Sequence, residues 1–224
     1  MAKKEPFDDK YTYVPRRGVF RNKNTILTEI ALLAVVALLG VFLYFHGNIK
    51  KAKKDFEEGR FELCIEKLKR ALFFAPLDKG LHYKIALAHS RLRHHQEVIE
   101  ICHKILALPK AKFPFQFRSG LPWPSLTEVY LGLAISYLNL EQYNEVIMYT
   151  QMMLVHNRND ALAYKLLGKA HMKKSMLRKD GSGMKAALKF LERARELAPE
   201  DMTPEDHQAI RTLREKLSAM GLLL

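Results

Sequence analysis

Residues 161–199 read ALAYKLLGKAHMKKSMLRKDGSGMKAALKFLERARELAP. Two runs with apolar residues three and four places apart flank a Lys/Gly/Ser stretch, so the segment reads as a helical pair. Each run carries a small residue, Gly168 in the first and Ala187 in the second. The same arrangement recurs upstream at Ala52, Ala86 and Ala134. Ala52 to Ala86 is 34 residues, and Ala134 to Gly168 is again 34. Ala86 to Ala134 is 48, one period with 14 extra residues. Within each unit the partner helix repeats too: Ala52 to Cys64, Ala86 to Val98 and Ala134 to Val146 are each 12 residues apart. Gly168 to Ala187 is 19, the same step with seven residues added. A fixed period of this length marks a stack of supersecondary units, and small residues at these places let antiparallel helices approach closely.

The units resemble the tetratricopeptide repeat (TPR) family over roughly residues 46–200. The first shows Gly59, Phe61, Cys64, Leu68, Ala71 and Pro76; the fourth shows Tyr164, Leu167, Gly168, Ala187, Leu191, Ala194 and Pro199. The third has Tyr130, Leu133, Ala134, Tyr137, Tyr143 and Val146. The second departs furthest, with His82, Ile85, Ala86, His89, Val98, and Lys110 where the family usually has proline. The resemblance implies an all-α, TPR-like solenoid of about four helical hairpins over residues 47–202, with first helices lining a concave groove. Thr203-Pro204-Glu205-Asp206 then opens one more helix, with Ile210, Leu213 and Leu217 as its stripe and Gly221 at its end. Residues 203–224 therefore read as a capping helix that closes the last interface. The carboxylate clamp of chaperone-binding members needs a Lys and Asn pair; Ile49 and Lys53 stand here without that Asn, so the clamp is not carried over.

Ahead of the repeats, residues 25–45 read TILTEIALLAVVALLGVFLYF, with Glu29 as the one charge. About 20 apolar residues cross a bilayer core, so residues 25–46 are expected to form a single transmembrane helix behind a basic tail, residues 1–24. The run outlasts a signal-peptide core and ends in bulky Phe42, Leu43, Tyr44 and Phe45 rather than a small-residue cleavage site. Five Lys/Arg flank each side, so the positive-inside rule is tied. The short basic leader favours a cytoplasmic N-terminus and an extracytoplasmic or periplasmic repeat domain, in a plasma or inner membrane.

The net charge of +13 favours anionic lipid or acidic protein as a partner. Nucleic acid is not expected, because no zinc-finger, RRM-like or KH-like signature is present. The two cysteines, Cys64 and Cys102, lack metal or redox spacing, and the nine histidines form no HExxH pair. No cofactor, metal or catalytic residue is expected, nor is the chain expected to be an enzyme.

Two candidate interaction sites emerge. Inward residues of the first helices are Tyr83, Leu87, Leu131, Ile135 and Leu138, followed by Lys165, Lys169 and Lys173 on one helical face. The groove thus reads apolar in its middle and basic at its C-terminal end, unless the lysines are an ordinary solvated face. The insertion at 110–125 holds Phe113, Phe115, Phe117 and Trp123 among prolines, either as an interaction loop or as a plug folded back on the repeats. A second insertion, about residues 173–183, is basic and Gly/Ser-containing and is expected to be a loop. The expected function is a membrane-tethered adaptor or scaffold for protein partners with an apolar segment and acidic character. The alternative is a structural accessory subunit packed into a large membrane complex.

Overall fold

The computed structural model describes residues 23–109 and 118–222. Their elements are helices α1 (Lys23–Glu57), α2 (Phe61–Phe74), α3 (Lys79–Arg91), α4 (His95–Ala107), α5 (Leu126–Asn139), α6 (Tyr143–His156), α7 (Ala161–Arg178), α8 (Gly181–Leu197) and α9 (Pro204–Ala219), with a 3-10 turn at Pro199–Asp201. The chain divides into two compact units between Leu43 and Tyr44. Helix α1 carries no break at the expected boundary near residue 46 and supplies residues to both units.

The first unit contains one apolar helical stretch, long and apolar enough to cross a membrane. Its side chains point outward all round: Leu32, Leu33, Val35, Val36, Leu38 and Leu39 are each more than half exposed.

In the second unit each first helix is followed by an antiparallel second helix. The pairs are the end of α1 with α2, α3 with α4, α5 with α6, and α7 with α8, and α9 caps the stack. The four aligned small residues all lie inside: Ala52 and Ala134 are 0% exposed, Ala86 is 2%, and Gly168 is buried. A side chain at Gly168 would place its first carbon 2.7 Å from Leu191 Cγ, which shows how closely α7 and α8 meet. Each hairpin turns through one left-handed residue at equivalent positions, Gly59, Arg93, Glu141 and Lys179. The next amide then reaches back five residues, as His94 N–H to His89 O at 3.0 Å and Gln142 N–H to Tyr137 O at 2.9 Å. This closes carbonyls that helix ends otherwise leave open. Helices α3, α5, α7 and α9 are N-capped by Asp78, Ser125, Asp160 and Thr203, whose side chains accept amide hydrogens of the first turn.

The core of the second unit falls into three groups. Phe45, Ile49, Ala52, Cys64, Leu68 and Leu81 fill the first. Ala86, Val98, Cys102, Leu133, Ala134, Val146 and Leu166 fill the second. Met184, Leu188, Leu191, Ile210, Leu213 and Leu217 join α8 to α9. Each such large side chain contributes roughly 1.5–3 kcal/mol of burial. Below the first hairpin, Asp55 (2% exposed) accepts from Arg60 Nε at 3.0 Å and pairs with Lys67. The hydrogen bond from Lys67, then that from Arg60, holds its carboxyl below the usual range.

The expectation of a loop at about 173–183 is corrected. Helix α7 has 18 residues and α8 has 17, whereas the earlier hairpin helices α2 to α6 have 13 or 14. The inserted residues therefore lengthen both helices, and only Lys179 and Asp180 separate them. Met172, Met176 and Met184 continue the apolar stripe into the last core group. Asp180 accepts from the Ser182 and Gly183 amides and so starts α8 at two glycines that composition alone would assign to a loop.

Candidate functional site

The inner face of the repeats is built from α3, α5 and α7, because each second helix is packed behind its partner. Tyr83 and Leu87 project from α3 and Leu131 and Ile135 from α5, each pair one helical turn apart. These four half-buried side chains line one hollow of about 110 Å³, with Ser90 and Glu128 at its rim and Ala86, Val98, Cys102 and Gly132 also in its wall. Close approach at the floor depends on Gly132, where a Cβ would lie 3.3 Å from Cys102 Sγ. Burial, with Glu128 nearby, pushes the Tyr83 hydroxyl up to about 12, so it stays a neutral donor. Glu128 is engaged in capping α5, accepting from the Ser125 amide at 2.7 Å. The hollow is thus mainly apolar with a few polar groups at its edge, which suits an apolar side chain of a bound segment.

Leu138, Lys169 and Lys173 lie around a second, wider hollow of about 480 Å³, shared with Glu141, Tyr143, Met172, Glu205 and Ala209. Lys165 lines a third, of about 280 Å³, with Leu162, Asp201 and Met202. The three lysines differ in what surrounds them. Asp206, 0% exposed on α9, lies 2.6 Å from Lys169 Nζ and 3.5 Å from Lys165 Nζ. Lys165 Nζ also donates to the Asp201 carbonyl at 2.9 Å. The same Asp206 carboxylate accepts from the Thr203 amide at 3.0 Å. Burial alone would raise its pKa, but the Lys169 ammonium and the Thr203 donors outweigh it, and the carboxyl is held below its ordinary value. The capping helix thus brings its own acid to the basic end of the groove. Lys173 is exposed and pairs with no carboxylate among the described residues.

Phe113, Phe115 and Phe117 lie outside the described residues. The following stretch, residues 118–125, docks on the start of α3. Asp78 caps that helix through the Leu81 amide at 3.1 Å and accepts from the Ser119 amide at 2.9 Å. Gly80 lets Leu121 and Pro122 close in, since a Cβ there would lie 2.8 Å from the Leu121 carbonyl oxygen. Trp123, 39% exposed, sits with Lys79 Nζ 5.9 Å from its ring centre.

The histidines mostly make structural contacts. His82 Nε2 is 2.8 Å from the Pro76 carbonyl, His103 Nε2 is 3.2 Å from the Tyr137 hydroxyl, and His171 packs on Phe190. Among the described residues no group of three or more His, Cys, Asp or Glu is placed to hold a metal ion. Sequence reasoning missed two features: the left-handed turn residues, and an aromatic stack of Tyr130 and Tyr137 against Tyr149 at 6.0 and 5.7 Å. The one available signal was the recurrence of tyrosines in the third unit.

No protein-family model matches the chain, and no curated protein matches it. Solved structures do. A MamA crystal structure superposes with a TM-score of 0.61 at 19% identity, over 80% of this chain and 84% of that one. A second, MamA AMB-1, gives 0.54 at 17%, over 81% and 83%. A third, MamA from residue 41 onward of Desulfovibrio magneticus RS-1, gives 0.52 at 18%, over 80% and 94%. At these identities the likeness is one of fold: the repeat unit is an all-α, TPR-like solenoid.

Proposed function

We propose that this chain is a membrane-tethered interaction scaffold, anchored by residues 25–45, that holds a protein partner in the groove of its repeats. The observation that carries the proposal is the convergence of Tyr83, Leu87, Leu131 and Ile135, from two successive first helices, on one apolar hollow. The bound segment would place an apolar side chain there. Its acidic end would meet Lys173 rather than Lys165 or Lys169, which Asp206 already engages. Outward aliphatic side chains along α1 support the tether, because a bilayer satisfies them and water does not. The test is recovery of partners from native membranes with the full chain and with Leu131→Glu. Partners captured by the former and lost by the latter support the groove; equal capture by both refutes it.

A second reading has one observation in its favour. Met148, Met152 and Val155 form an exposed stripe on the outer face of α6, at 41%, 39% and 81%. A subunit packed into a larger membrane assembly would use such a face, and would then be isolated in fixed stoichiometry with its neighbours.

A further inference from the structure

We propose that the end of the repeat unit formed by Tyr44, Phe73, Phe74 and Trp123 is a lipid-contact surface that rests in the headgroup region of the bilayer. The proposal rests on residues 25–45 being a membrane span. Tyr44 is the first residue of the repeat unit and is joined by one peptide bond to Leu43, the last residue of the apolar unit. Whatever lies beside Tyr44 is therefore held at bilayer depth or next to it. The neighbour is Phe74, whose ring centre is 6.0 Å away, and Phe73 packs edge-on to Phe74 at 5.2 Å. Tyr44 is 50% exposed and Phe73 is 80% exposed. Aromatic side chains at headgroup depth are the usual anchors of membrane proteins, and Phe73 is joined to that depth through Phe74 and Tyr44.

The surface continues across the next turn. Residues 75–78 return the chain to the start of α3, where Trp123 lies beside Lys79. A lysine ammonium over an indole suits an anionic interface. At the Phe73 position the aromatic character is also confined to the first unit. Phe73 corresponds in register to Ala107, Val155 and Glu196 in the second, third and fourth units. Glu196 is bound to Arg193 at 3.0 Å, so the last hairpin presents an ion pair where the first presents a phenyl ring. At the other end of the hairpins the left-handed turns carry Arg93, Glu141 and Lys179. The aromatic end is specific to the hairpins nearest the span.

Trp123 is the sole tryptophan, which makes it the probe. The full chain is reconstituted in phosphatidylcholine/phosphatidylglycerol nanodiscs carrying a spin label either near the headgroup or deep in the acyl chain. Trp123 emission should fall about twofold with the shallow label and little with the deep one, as interfacial aromatics require. Phe73→Trp in a Trp123→Phe background should behave the same way and, being so exposed, should not disturb folding. Leu33→Trp in that background reports the span and should respond to the deep label. If Leu33→Trp is quenched and both Trp123 and Phe73→Trp are not, the lipid-contact surface is refuted and the span stands. If Leu33→Trp is also unquenched, the membrane reading itself fails. Protection of Phe73→Trp that depends on protein-to-disc ratio and not on the lipid label would assign the surface to a second protein and overturn the proposal.

Discussion

Replacing Gly168 by Ala should destabilise the repeat unit, although alanine is the better helix former. Inside a helix the exchange by itself favours folding by about 1 kcal/mol. Against this, the added methyl would lie 2.7 Å from Leu191 Cγ, 2.9 Å from Cδ2 and 3.1 Å from the Leu191 backbone nitrogen. Leu191 is 0% exposed, so its side chain has nowhere to swing, and relief requires moving α8 away from α7. Overpacking of this kind costs roughly 2–3 kcal/mol, which leaves a net loss of about 1–2 kcal/mol. For a domain of this size that lowers the melting temperature by about 3–6 °C. Gly47→Ala is the matched control, because it sits within α1 and nothing lies within 4 Å of the position its methyl would take. It should raise the melting temperature by about 2–4 °C. Far-UV circular dichroism melts of the full chain in nanodiscs read both changes. Leu191→Ala combined with Gly168→Ala should be non-additive by roughly 1 kcal/mol, since the two sites touch. A Gly168→Ala chain that melts at or above wild type would mean that α7 and α8 do not cross at Gly168, and the 34-residue register would be misplaced.

Three further outcomes follow from the site. Because the Asp206 carboxyl is held below its ordinary 3.8, its contribution is present above that value and is lost as pH falls through the folded pKa. The melting difference between wild type and Asp206→Asn should therefore be largest near neutral pH and shrink below about pH 4, as paired melts would read; a constant difference would contradict it. Lys173→Glu should slow capture of an acidic partner, more at low salt than at high salt, with folding intact, whereas Lys169→Glu should also lower the melting temperature by facing buried Asp206 with a second negative charge. Single cysteines at Lys4 and at exposed Ser218 should label from opposite sides of the membrane, over a silent background: burial pushes the Cys64 thiol up to about 11 and the Cys102 thiol up to about 12. Labelling of both from one side would remove the single span.

The repeat architecture was legible because it is written as a period. Ala52, Ala86, Ala134 and Gly168 recur at fixed spacing, and close helix contact is the physical reason for their size. Among the turn residues only Gly59 is of a type that favours the left-handed conformation. Arg93, Glu141 and Lys179 take the same left-handed conformation, yet their residue types carry no preference for it. The second insertion misled because Gly181, Ser182 and Gly183 have a loop composition; the deciding groups were Asp180 as a cap and the methionines that prolong the core stripe. Four-residue spacing sufficed to put Tyr83 with Leu87, and Leu131 with Ile135, on common faces, and successive hairpins set these faces around one hollow. The same spacing identified the lysine face but not its occupant. Asp206 lies 37 residues beyond Lys169, and only the packing of α9 on the stack brings them together. The long-range ion pair had no local signature.

The most direct test of the scaffold proposal is photocrosslinking from within the groove in native membranes. Benzoylphenylalanine replaces Leu131 in the full chain, and Met152 on the outer face of α6 serves as the comparison site. A protein adduct formed at position 131, found in the membrane fraction and abolished by Leu87→Glu across the same hollow, is the expected result. Adducts at position 152 alone, or at neither position, would contradict a partner-binding groove; the first of these would favour a subunit packed through its outer face.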